Sequence, residues 1–161
     1  MKSAILVVVV VLIPWGLVSS QSTESKSAVS KPSAQEKPDL VPVLSHPMNG
    51  KIIVKNIGRG FAAPSKLTLD CEVVSSTVST ACPDLPVSVA STYFDTEFPK
   101  NATIEVPALS PGETFVHSLS FWETFHWPSG RYRFTALVDA AHALSESNTK
   151  NNIAISTLVV Q

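Results

Sequence analysis

Asp139, Glu146, Asn148, Asn151 and Asn152 form a cluster of oxygen donors between two apolar runs. Hard oxygen donors on a loop are what Ca2+ takes, but only two of these five are carboxylates and their spacing is not that of an EF-hand. Asp and Asn in long connections also bind neighbouring backbone groups, and that structural use is the favoured one. Asp139, Glu146, Asn148 and Asn151 are kept as a Ca2+ candidate; no other cofactor or metal is expected. Zinc would need three or four ligands that converge, whereas His46, His117, His126 and His142 are scattered over separate segments. His117 shares an alternating face with Phe115, Leu119 and Phe121, as a core or inter-sheet histidine would.

Two further groups bear chemistry. Phe121-Trp122-Glu123-Thr124-Phe125-His126-Trp127 is the most aromatic stretch, and Trp127 stands before a Pro-Ser-Gly turn. Core packing of Trp127 is the favoured expectation; its competitor is a binding surface formed by Phe125 and Trp127, since exposed aromatics serve recognition. Cys71 and Cys82 are an even count without a Cys-x-x-Cys spacing or a flanking histidine. In an exported chain such a pair forms a disulfide, restraining the unfolded loop by about 2–3 kcal/mol. No Gly-x-Ser-x-Gly elbow, His-Glu-x-x-His or phosphate loop occurs. No catalytic residue is assigned, and an enzyme is not expected.

The elements that must position these residues follow from pattern. Met1-Lys2, the apolar run Ala4 to Ile13, the breakers Pro14-Trp15-Gly16 and the small residues to Ser20 have the order of a secretory signal peptide. The run is too short for a membrane span, which needs about 20 apolar residues, so cleavage after Ser20 is expected. Residues 21–38 are rich in Ser, Lys, Glu and Pro, the composition of a flexible linker. From Asp39 to Gln161 short runs alternate with turn signals. Strands are expected at Leu40–Leu44, Lys51–Lys55, Leu67–Val73, Val87–Phe94, Ala102–Val106, Thr114–Trp122, Arg131–Val138 and Ile153–Val160. Seven or eight strands at this spacing, with 12 prolines, argue for an antiparallel β-sandwich. Twelve basic against 13 acidic residues exclude the basic excess of a nucleic-acid binder.

The turns carry a resemblance. Pro38-Asp39-Leu40, Val54-Lys55-Asn56-Ile57-Gly58 and Leu109-Ser110-Pro111-Gly112-Glu113 occur in order. Gly130-Arg131-Tyr132, Val138-Asp139 and Glu146-Ser147-Asn148-Thr149-Lys150-Asn151-Asn152 follow. Together they resemble a CARDB domain, a cell-adhesion-related module of bacteria and archaea, over about residues 38–160. The resemblance implies an immunoglobulin-like, all-β fold used without catalysis on exported proteins. The Cys71…Cys82 segment departs from the family's pattern. Asn56, Gly58 and Gly60 suit positive φ at a reversal, Pro111-Gly112 presets a turn, and Tyr132 is placed as the tyrosine of a corner.

The function expected is therefore non-enzymatic binding or adhesion at the cell envelope by a periplasmic or secreted monomer. Its partner would be a protein or a carbohydrate at the cell surface, with no nucleic acid and no membrane span after cleavage. The alternative is an accessory subunit of an envelope complex, and a third reading is a Ca2+-stabilised module.

Overall fold

The computed structural model describes residues 36–45, 50–77, 81–82, 84–119 and 126–161. The signal segment, most of the linker, His46 and Phe125 lie outside the described residues. The strands are β1 (Leu40–Leu44), β2 (Lys51–Asn56), β3 (Ser65–Ser76), β4 (Ala102–Val106), β5 (Thr114–Ser118), β6 (Gly130–Val138) and β7 (Ile153–Val160), with helix α1 (Val87–Tyr93) between β3 and β4. They form two antiparallel sheets ordered β1-β2-β5 and β4-β3-β6-β7. The fold is an all-β immunoglobulin-like sandwich.

Period-two patterning builds the interior, because alternate side chains of a strand leave on opposite faces. Leu40, Ile52 and Val54 of the smaller sheet meet Leu67, Tyr132, Phe134, Ala136 and Val138 of the larger, all buried. Pro42 is tolerated because β1 is an edge strand and owes no second neighbour an N–H bond. Among the described residues no helix is long and apolar enough to cross a membrane.

Three expectations are corrected. The strand expected at Val87–Phe94 is the helix α1. Its inward anchors are Val89 and Tyr93, whereas Val87 is 93% exposed. Anchors four residues apart share a face under period 2 and period 3.6 alike, so their spacing could not choose between them. Pro86, immediately before the helix, accepts the first backbone bonds from Val89 and Ala90. The strand expected at Leu67–Val73 runs further: Ser75 and Ser76 pair with Arg131 and Gly130 after a register shift following Val73.

The third correction concerns glycine. Among the described residues neither Asn56, the last residue of β2, nor Gly58 or Gly60 is left-handed; the positive-φ glycines there are Gly50 and Gly112. A Cβ on Gly58 would stand 2.5 Å from the Asp39 nitrogen, and one on Gly60 would stand 2.1 Å from the Glu36 carbonyl oxygen. Close passage of the incoming chain, not turn geometry, demands glycine there. Gly112, with φ of 81°, does supply the left-handed angle of the Ser110–Glu113 turn, closed by Glu113 N–H donating to the Ser110 carbonyl.

Candidate functional site

The family-like turns other than Gly130-Arg131-Tyr132 gather at one end of the sandwich, where β1 begins and β2 and β6 finish. Asn56, with no exposed surface, is the hub. Its Oδ1 accepts from the Asp39 and Gly58 amides, and its Nδ2 donates to the carbonyls of Gly60 and Leu109. The Asp39 carboxylate accepts from Ser147 Oγ and Asn151 Nδ2. Glu146 accepts from the Leu40 amide at 2.7 Å and from Asn152 Nδ2, tying the β6–β7 connection to the first strand. The chain is engaged from Lys37 onward, because its carbonyl accepts the Arg59 and Gly60 amides.

The carboxylates of the Ca2+ candidates are engaged in this scaffold, whereas Asn151 Oδ1 and Asn152 Oδ1 are buried without a hydrogen-bond partner. Asp139, at φ 49°, accepts the amides of Ala143 and Leu144 with its two oxygens. Asn148 is exposed and closes a local turn to the Lys150 amide. Among the described residues no three His, Cys, Asp or Glu stand close enough to hold a metal ion. Burial holds the Glu146 carboxyl above the ordinary glutamate range. The Asn152 and Leu40 donors oppose that shift, while the Asp139 and Asp39 charges add to it.

The disulfide, Tyr132, Trp127 and His117 lie toward the other end. Cys71 and Cys82 form a disulfide, with Cα atoms 6.1 Å apart. Tyr132 is fully buried and its hydroxyl donates to the Pro128 carbonyl at 2.7 Å, locking the entry to β6. Trp127 is half-buried, edge-on to Tyr132 at 5.0 Å and to Phe134 at 5.5 Å. Most of its indole is thus committed to packing over the corner. His117 is half-buried with Nε2 3.2 Å from the Tyr93 hydroxyl. Burial alone lowers its pKa, and burial raises that of Tyr93. His126 and His142 are exposed on separate loops.

Sequence reasoning did not anticipate the cleft beside these residues. β4 pairs with β3 only as far as Leu69↔Ala102, although β3 continues to Ser76. Beyond that point residues 84–101 stand away from the strand, leaving a cleft of ≈530 Å3. Leu69, Phe134 and Trp127 line one side, the disulfide and Leu85 another, and Tyr93 and Phe94 the helix side. Asp84, Lys100 and Asn101 stand at its rim with no side-chain hydrogen bond or ion pair. The signal available in the sequence was Pro86 starting a helix after Cys82, which places a bulky segment where a strand would otherwise continue.

The CARDB family profile matches residues 37–156. The crystal structure of the CARDB domain of a Pyrococcus furiosus protein, in complex with di-metal ions, is similar with a TM-score of 0.51 and 21% identity. That match covers 80% of this chain and 97% of the archaeal domain. A solution structure of a domain assigned to a cell surface protein of Methanosarcina acetivorans aligns at 19% identity with a TM-score of 0.46, covering 78% and 93%. No curated protein matches at a significant level. Identities this low speak to the fold, whereas the profile spans the whole scaffold from Lys37 through the hub of Asn56 and Glu146. On that span, the chain belongs to the CARDB family.

Proposed function

We propose that this chain is an exported binding module that works without catalysis at the cell surface, engaging a protein or a carbohydrate. One observation carries the reading. Asn56, Glu146 and Asp139 hold backbone at one end, while Asp84, Lys100 and Asn101, without a side-chain hydrogen bond or ion pair, stand with the exposed Phe94 ring at the cleft at the opposite end. A polar side chain without a partner can take a ligand without giving up an existing bond. A family associated with the cell surface and a disulfide, which persists in oxidising compartments, both suit export.

The archaeal relative is described with di-metal ions. Among the described residues no three His, Cys, Asp or Glu stand close enough to hold a metal ion, and the binding reading uses no metal. The test is retention of the full chain on washed envelopes of its host against the cytosolic fraction. Saturable retention on the envelope is expected; equal retention on both fractions would overturn the reading.

The accessory-subunit reading rests on a different feature. Among the described residues β7 pairs only with β6, contains no charge or proline, and exposes Ile153, Ile155 and Val159 on its outer face. Such an edge suits a fixed protein partner. Cross-linking that yields one stoichiometric complex would favour it.

A further inference from the structure

We propose that the cleft between β3 and α1 is a carbohydrate site that takes a short pyranoside, an inference that rests on the binding reading above and gives it a ligand class. The site exists because β4 stops early. A fourth strand following β3 to its end would fill the space; instead Cys82 is pinned to Cys71, and α1 packs inward through Val89 and Tyr93. The gap of ≈530 Å3 falls within the range of small-molecule sites, about 300–1,000 Å3.

Its walls have two characters. Leu69 and Phe134 make an apolar floor, and Phe94, 62% exposed just past the helix end, offers a ring face at the mouth. At the rim Asp84 offers a carboxylate acceptor, Lys100 an ammonium donor and Asn101 both functions. None of the three is paired, in contrast to Asn56, whose side chain makes four bonds. A pyranose matches this division. Its axial C–H face packs on an aromatic ring, and its hydroxyls both donate and accept. A lipid tail would leave the three polar groups without partners. A phosphate would meet Asp70 and Asp84 against a single Lys100, and a polycation would meet that lysine.

The experiment titrates 15N-labelled full chain separately with cellobiose, maltose and N,N'-diacetylchitobiose, following backbone amide shifts. At least one sugar is expected to give saturable shifts centred on Leu85, Phe94 and Asn101. F94A and D84N should each weaken that sugar about tenfold while leaving the melting midpoint unchanged. Absence of saturation with all three sugars overturns the proposal, as do shifts centred on Asn56 and Glu146. Saturable shifts at the cleft with spermidine but with no sugar also overturn it, in favour of a cationic ligand. Envelope retention by an unmodified chain that binds none of the three sugars sinks the carbohydrate site and leaves the binding reading standing. Loss of retention by the unmodified chain sinks the binding reading itself.

Discussion

The two ends of this sandwich use the same residue types for opposite purposes. At the end where β1 begins, Asn56 and Glu146 are buried and bonded to backbone far along the chain. At the cleft end, Asn101 and Asp84 stand half-buried or exposed with no partner. A buried amide must be satisfied or it costs stability; a wet one costs nothing while it waits for a ligand. Partnering, more than residue type, separates scaffold from candidate site.

The sharpest way to break this comparison is to remove the same amide at both ends. N56A strands the Asp39 and Gly58 amides and the Gly60 carbonyl and should cost about 3–4 kcal/mol. N101A should stay within about 0.5 kcal/mol, as surface changes do. Urea melts of the two variants check this; equal losses would show that the ends are not differentiated.

The disulfide comes next. Replacing Cys71 and Cys82 together by Ser should cost about 2–3 kcal/mol by releasing the unfolded loop. Because Cys82 anchors the segment that walls the cleft, the same change should also broaden the amide signals of Leu85 and Phe94 and leave Gly58 and Gly112 sharp. Y132F is milder, about 1 kcal/mol for one hydroxyl-to-carbonyl bond, read in the same melts.

Titration offers a contrast in sign. Glu146 has a folded pKa raised by burial, so the native state holds its proton more readily than the unfolded chain. Its stabilisation is present below the ordinary glutamate pKa and is lost as pH rises through the raised value. His117 has a folded pKa lowered by burial, so the unfolded chain binds the proton more readily. Stability should therefore fall as pH drops below the ordinary histidine range. Melts across pH should show both slopes, with E146Q abolishing the first and H117Q the second. The smallest effect expected is none: excess EDTA should leave the melting midpoint where it was. A shift would show that Asp139 and Glu146 serve an ion as well as the backbone.

Much of the fold was legible locally. Ala102–Val106 and Ile153–Val160 occupy the spans their patterns predict, because period-two alternation is written in adjacent residues. The turn at Pro111-Gly112 was legible for the same reason. The helix was not, since Val89 and Tyr93 satisfy both periodicities. The roles of Gly58 and Gly60 were misread because the atoms that crowd them belong to Glu36, Lys37 and Asp39, not to the turn itself.

The sequence by itself determined the sandwich, the family and the pairing of the two cysteines, all of which depend on local pattern, motif order or a count of two. Only the tertiary structure decided what the polar residues do. Leu40 meets Glu146 across 106 positions and Asp39 meets Asn151 across 112, and partners at that separation leave no periodic trace. The cleft is a tertiary product too. It exists because one strand ends before its neighbour; Pro86 marks the helix that follows, but not the space between them.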